Sequence, residues 1–115
     1  MDGEVTTDEV EALYDDDGVT VVDIRSPSAY ARGHIPDSQS IPFQEVPTSA
    51  GSVADADHIV TVCPHGEASV RAARLLAAAE EIDDDTRIES MAGGITSWDG
   101  PVESADDPDA ADAPF

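Results

Sequence analysis

The chain has 115 residues, which is the size of one domain with a single core. It carries 26 acidic residues against five basic ones, all of them arginine, and its formal net charge is −21. Nucleic acid and anionic membranes are excluded as partners, because binding to either needs clusters of Lys or Arg. No apolar run reaches the length of a membrane span, and the first residues lack the apolar segment of a secretory signal.

The chain begins with a predicted helix and a predicted buried strand. The helix covers residues 7–14, with Thr7 as its cap, an acidic first turn and its apolar side chains on one face. Residues 19–24, V-T-V-V-D-I, are β-branched and nearly free of polar side chains. Such a run is typical of a strand that is buried in a parallel sheet.

A second helix and an irregular stretch follow. Ser26 caps the helix, Pro27 takes its first position and Gly33 ends it. Residues 40–42 form at most a very short strand. Residues 43–57 predict a loop or one ragged helix, because a proline and a glycine interrupt them.

The second half predicts two more strands around a longer helix. Residues 58–63 and 86–91 are the strands, and the helix between them starts near Ser69. A short helix opens at Gly93-Gly94 and ends with Trp98. The longer helix has one apolar stripe with the spacing i, i+3, i+4 and i+7, formed by Ala72, Leu75, Leu76 and Ala79.

Strands that alternate with helices predict an α/β fold around a mainly parallel sheet. We assign residues 1–101 to the domain. Residues 102–115 are mostly Asp, Ala and Pro with almost nothing to bury, so they predict an acidic tail that is extended or disordered.

Cys63 is the only cysteine, and it lies where a strand passes through a tight loop into a helix. Ligands gather at the carboxyl ends of parallel strands, and unpaired N–H groups of the loop and the first helical turn converge there. Such groups lower the pKa of a thiol, so we expect a reactive thiolate. A buried, inert cysteine is the alternative. A lone cysteine cannot form an internal disulfide, which is typical of a reducing, cytoplasmic compartment.

Four motifs occur in an order and spacing that indicate one family. They are V-V-D-I-R-S-P at 21–27, Y-A-R-G-H-I-P-D-S at 30–38, C-P-H-G-E-A-S at 63–69 and G-G-I-T-S-W at 93–98. In these motifs the chain resembles a single-domain rhodanese, a sulfurtransferase. The resemblance implies a three-layer α/β fold in which helices flank a parallel five-stranded sheet.

The resemblance also implies that Cys63 is the catalytic nucleophile, which carries sulfur as a persulfide. The donor is thiosulfate or a persulfide, either a small molecule or a protein, and the acceptor is a thiol or a sulfur carrier. This is two-step covalent catalysis, for which no cofactor and no metal are expected, by a protein expected to be a monomer. The persulfide would lie against the loop residues Pro64, His65, Gly66, Glu67, Ala68 and Ser69.

Other residues at family positions are expected to support the structure. An ion pair or loop anchor is expected from Asp23 and Arg25, and a hydrogen-bonded scaffold role from His34. Gly94 and Trp98 are expected to turn and pack the last helix.

The loop departs from the family pattern at one point that bears on the donor. Well-known rhodaneses that use thiosulfate place cationic side chains in the loop, whereas this loop has His65 and the acidic Glu67. We therefore expect poor turnover of thiosulfate, which favours a protein persulfide or another sulfur carrier as donor.

Three other functions remain as alternatives. One is a rhodanese-like sulfur-carrier or regulatory binding module without turnover. Another is a phosphatase or arsenate reductase of related fold, which needs an arginine where this loop has Ser69. The third is a metal site at Cys63 and His65, for which the sequence shows no clear further ligands.

The acidic composition predicts a dependence on salt. It resembles that of proteins from extreme halophiles such as haloarchaea, although an acidic surface that only prevents aggregation is the alternative. We expect the secondary structure to be lost on dialysis from molar KCl to ~10 mM ionic strength, because the like charges are then no longer screened. Circular dichroism during dialysis measures this, and a cooperative fold that persists at the lower salt concentration would contradict it.

Overall fold

Five parallel strands form the centre of the structure, a computed structural model that describes residues 3–104. The strands are β1 (Glu4–Val5), β2 (Val19–Asp23), β3 (Gln39–Ser40), β4 (His58–Val62) and β5 (Arg87–Met91). Their order across the sheet is β1-β5-β4-β2-β3, and every neighbouring pair is parallel. The predicted α/β fold with a parallel five-stranded sheet is confirmed.

Four α-helices connect the strands: α1 (Thr7–Leu13), α2 (Pro27–Arg32), α3 (Val46–Ser49) and α4 (Ala68–Ala78). Three short 3₁₀ helices lie at Phe43–Glu45, Ala50–Val53 and Ile95–Ser97. Residues 43–57, which were predicted as a loop or one ragged helix, therefore contain three short helical pieces in series: the first two of these 3₁₀ helices, with α3 between them.

The sheet is buried on both faces, as the β-branched strands predicted. One face packs against the layer of α3 and α4 through Val22, Ile59 and Ile88. The other face contacts α1 and the last 3₁₀ helix through Val21, Val60 and Met91. Because side chains alternate along a strand, neighbours such as Val21 and Val22 serve opposite cores.

Two features of the helices differ from the sequence prediction. The cap of α1 is Thr6, not Thr7, and its side chain and that of Glu9 form a reciprocal capping box. In α4, Ala72 and Leu76 of the predicted stripe are buried and Ala79 packs against the core, whereas Leu75 is 38% exposed, so the prediction is wrong at Leu75. The buried stripe keeps the same spacing but begins one turn earlier, and it consists of Ser69, Ala72, Ala73 and Leu76.

The start of the predicted tail contacts the domain. Glu103 exchanges two backbone hydrogen bonds with His34, and the Ser104 hydroxyl donates to the Ala31 carbonyl. Residues 105–115, the rest of the predicted tail, lie outside the described residues. Within residues 3–104, none of the helices is both long enough and apolar enough to cross a bilayer.

The capping box gives a matched pair of variants. Thr6→Ala removes the hydroxyl that accepts from the Glu9 N–H, so we expect it to lower the free energy of unfolding by about 1 kcal/mol. Thr7→Ala, at the first helical position, should change it by less than about 0.5 kcal/mol. Urea denaturation in molar KCl measures both, and an equal loss in the two variants would rule out Thr6 as the cap.

Candidate active site

Cys63 directly follows β4 at the carboxyl edge of the sheet. Ile24, the residue after β2, lies beside it, and its N–H donates to the Val62 carbonyl. Cys63 is 2% exposed and belongs to the apolar cluster on the α4 side of the sheet. The sulfur thus lies beneath the loop that leads to α4.

The loop folds back over the sulfur because of Gly66. This residue has φ +90°, in the left-handed region, and its N–H donates to Cys63 Sγ at 3.0 Å. A Cβ at position 66 would lie 2.8 Å from the Gly93 nitrogen. Glycine therefore meets a conformational and a steric requirement at this position.

Burial raises the pKa of the Cys63 thiol, but hydrogen bonds more than offset it. Sγ lies 3.3 Å from the Ser69 hydroxyl, and the N–H groups of Ser69, Gly66 and His65 also favour the thiolate. The net effect holds the pKa below that of a free thiol. The thiolate is thus stabilised by dipoles rather than by a neighbouring cation.

The N–H groups that were expected to converge on the sulfur do so only in part. The Gly66 N–H donates to Sγ, and those of Ser69 and His65 help to lower the thiol pKa, whereas within residues 3–104 no hydrogen bond joins Sγ to the N–H of Glu67 or Ala68. Glu67 is the N-cap of α4 and makes no side-chain cap bond. Donors at the start of α4 are consequently available to a ligand.

Two hydroxyl groups that the sequence did not single out hold Ser69 in place. Thr61 donates to the Ser69 carbonyl at 2.7 Å, and Ser90 Oγ lies 2.7 Å from Ser69 Oγ. Thr61, Ser69 and Ser90 are all 0% exposed. The sequence signal for Thr61 is its position two residues before Cys63, on the same strand face, whereas Ser90 is found only from the register, as the β5 partner of Thr61.

A second segment, residues 93–96, forms hydrogen bonds with the outer side of the loop, and we call this contact the clamp. The Ile95 N–H donates to the Cys63 carbonyl, and both the N–H and the hydroxyl of Thr96 donate to the Pro64 carbonyl. These bonds satisfy the loop carbonyls on the side away from the sulfur. The close approach requires Gly94, where a Cβ would clash with both carbonyl oxygens.

Comparison with known proteins identifies the family of this chain. The profile of the rhodanese-like domain family matches residues 6–100. The chain belongs to this family. A thiosulfate sulfurtransferase GlpE of Pseudoalteromonas translucida is 34% identical to it over 87 residues, which are 76% of this chain and 79% of that protein. A sulfurtransferase of Allochromatium vinosum is 30% identical over 88 residues, or 76% and 78% of the two chains.

Solved structures support the assignment. The crystal structure of a rhodanese-like domain protein from Staphylococcus aureus superposes with a TM-score of 0.74 at 26% identity. The match covers 90% of this chain and 98% of that one.

Asp23 and Arg25 form an ion pair at the end of β2 in this rhodanese-like domain. Arg25 donates to both carboxylate oxygens, with the Nη2 to Oδ2 distance at 2.7 Å, and also to the Gly33 carbonyl. Asp23 is 1% exposed, and Arg25 supplies the partner that a buried carboxylate requires. The pair fixes the turn after β2 and does not contact the sulfur.

His34 and Trp98 also lie away from the sulfur. His34 is buried, with Nδ1 2.7 Å from the Tyr30 carbonyl and its ring stacked on that of Tyr30. Trp98 packs edge-on against Tyr14 in the opposite core and donates to the Pro101 carbonyl. Both hold segments of the rhodanese-like domain together.

The exposed features near the loop are a groove and two side chains. The side chains of His65 and Glu67 face solvent, and neither contacts Sγ. A groove of about 580 Å³ opens at the same edge of the sheet, with Ile24 and Phe43 in its wall. Within residues 3–104, no group of three His, Cys, Asp or Glu side chains is arranged to hold a metal.

The clamp on the loop gives a matched pair of glycine variants. Gly94 has φ +68° and no space for a Cβ, so Gly94→Ala should destabilise the domain by at least about 2 kcal/mol. Gly33, with open space around it and an extended φ of 170°, should tolerate alanine with a change below about 0.5 kcal/mol. Denaturant unfolding in molar KCl compares them, and equal stabilities would contradict the clamp.

Proposed function

We propose that this rhodanese-like domain is a sulfurtransferase that carries a sulfane sulfur on Cys63. The observation that supports it most directly is the set of N–H and hydroxyl donors around Sγ, which favours the thiolate without help from a cation. The similarity to proteins named thiosulfate sulfurtransferase supports the same chemistry. A thiolate is the attacking form of cysteine, so the site is suited to the first step.

The proposed cycle has two balanced steps. In the first, the Cys63 thiolate attacks the outer sulfur of the donor, the S–S bond of the donor breaks, and the remainder leaves with the electron pair, as a thiolate from a persulfide or as sulfite from thiosulfate. The enzyme then carries Cys63–S–S⁻. In the second, cyanide or a thiolate attacks the outer sulfur and takes it, and the Cys63 thiolate returns. Neither step needs an external oxidant or reductant.

The open N–H groups at the start of α4 suit the outer sulfur of the persulfide. The inner sulfur of the persulfide would be Cys63 Sγ, which accepts a hydrogen bond from the Gly66 N–H. The N–H groups of Glu67 and Ala68 make no hydrogen bond to Sγ. We propose that these two groups bind the terminal sulfur anion, as backbone donors do for other anionic intermediates. The persulfide then extends from the buried Cys63 towards the loop.

The donor is proposed to be a persulfide rather than thiosulfate. Glu67 adds a negative charge to the loop, and within residues 3–104 no cation bonds to it or to Sγ. A dianionic donor is therefore opposed by the local charge and, where the salt concentration is low, also by the net charge of −21. Cysteine persulfide, or a persulfide on a carrier protein, brings less charge. We place this transfer in the cytoplasm, where thiols stay reduced.

The burial of Cys63 favours a second candidate function. With 2% exposure, the sulfur reaches a donor only after the loop or the side chain moves. If that movement is rare, the domain is a sulfur-carrier or regulatory module that binds without repeated turnover. The two functions differ in how many sulfur atoms each protein molecule transfers.

Sulfur loading provides the test. After treatment with cysteine persulfide in molar KCl, intact mass spectrometry should show the wild-type protein heavier by one sulfur atom, and thiosulfate should load a smaller fraction. Cys63→Ser should not gain mass, whereas Ser38→Ala, which loses a buried hydroxyl far from the loop, should load like wild type.

Cyanide then separates enzyme from carrier. Release of more than one thiocyanate per protein molecule supports turnover, while a single release supports the carrier module. A wild-type mass that stays unchanged with both donors would overturn the proposed function, and labelling by vanadate instead would favour the phosphatase alternative.

A further inference from the structure

Ser90 has a buried hydroxyl group with a single partner. It lies in β5, is 0% exposed, and its Oγ is 2.7 Å from Ser69 Oγ. Among residues 3–104, this is the one hydrogen bond that its side chain makes. Ser69 Oγ in turn lies 3.3 Å from Cys63 Sγ. Sulfur, Ser69 and Ser90 therefore form a linear chain of two hydrogen bonds that ends at Ser90.

The number of protons in this chain depends on the state of the sulfur. In the thiol form, one S–H and two O–H groups share two hydrogen bonds, so one donor has no acceptor within the chain. In the thiolate form, two O–H groups serve two bonds. Ser90 donates to Ser69, and Ser69 donates to Sγ. All the donors of the chain are used only when the sulfur is an anion.

We propose that Ser90 is a positioning residue that directs the Ser69 hydroxyl proton towards Cys63 Sγ. Its own proton occupies the acceptor side of Ser69 Oγ, which leaves the Ser69 proton free to point at the sulfur. The hydrogen bond from Ser69 to an anionic sulfur is charge-assisted, so its orientation matters more than that of a neutral bond. This inference deepens the proposed function and rests on it for its biological meaning.

The charged side chains around the thiol do not bond to Sγ, so the stabilisation of the thiolate by side chains comes from the hydroxyl groups. The charged or titratable side chains on the elements around the thiol are His65 and Glu67 of the loop, Arg71 and Arg74 of α4, the Asp23–Arg25 pair after β2, and His58, Arg87 and Glu89, which pair with one another in β4 and β5. His65, Glu67 and Arg71 are exposed, and the Asp23–Arg25 pair is satisfied internally. None of them forms a hydrogen bond or an ion pair with Sγ.

The test measures the pH dependence of alkylation, which needs no sulfur donor. The rate of reaction of Cys63 with iodoacetamide in molar KCl rises with the thiolate fraction, so its midpoint reports the thiol pKa. Ser90→Ala should shift the midpoint upwards by about half a unit to one unit, because the Ser69 proton is then no longer directed at Sγ. Ser38→Ala, another buried serine without contact to the site, should keep the wild-type midpoint.

Two further comparisons separate positioning from packing. Ser90→Thr and Ser90→Val have the same shape, and only the threonine keeps a hydroxyl, so the threonine variant should have the lower midpoint. This pair decides the matter if Ser90→Ala does not fold. In a Ser69→Ala background, Ser90→Ala should have no further effect, because it acts through the Ser69 hydroxyl.

The outcomes are distinct. An upward shift in Ser90→Ala that disappears in the Ser69→Ala background supports the inference. Equal midpoints for Ser90→Ala and wild type, equal midpoints for the threonine and valine variants, or a shift that persists without the Ser69 hydroxyl would overturn it. Failure of the wild type to load sulfur leaves these midpoints unaffected, so the proposed function and the role of Ser90 can fail separately.

Discussion

The site depends on one balance, between the burial of a sulfur atom and the donors directed at it. Burial alone raises the pKa of Cys63 and favours the neutral thiol. The Ser69 hydroxyl and the N–H groups of the loop reverse this effect. The backbone conformation of Gly66, the contact of residues 93–96 with the loop carbonyls and the anchoring of Ser69 by Thr61 all serve to aim those donors. Few charged groups are needed, because the geometry of dipoles provides the field.

The protein interior likewise contains few cations. The chain has five arginines, and within residues 3–104 two of them form ion pairs with carboxylates that are almost completely buried. Arg25 pairs with Asp23, and Arg87 shares Glu89 with His58. A buried carboxylate without such a partner destabilises a fold strongly. In a chain with 26 acidic residues, the burial of these two is possible because a cation was available at each position.

The sequence predicted the layers of the fold, the limits of α2 and the position of Cys63 at a strand end, since each depends on local patterns of neighbouring residues. It placed the cap of α1 one residue late, because Thr6 and Thr7 are equivalent until the reciprocal bond to Glu9 is seen. On α4 the prediction included Leu75, which is exposed, because the same spacing also fits the set that begins at Ser69, and a polar residue gives no hydrophobic signal of its burial. The contacts of Ser90 and Thr96 join segments far apart in the chain, and a single sequence holds no signal of their distance.

Because the sulfur is buried, its electrostatic interactions respond to salt differently from those of the exposed charges. Dissolved ions screen exposed charges that lie more than a Debye length apart, but they hardly affect groups enclosed by protein. The bonds around Cys63 are of the enclosed kind. Ionic strength therefore modulates the mutual repulsion of the acidic exterior, while the affinity of the sulfur for its proton is insulated from the salinity of the medium.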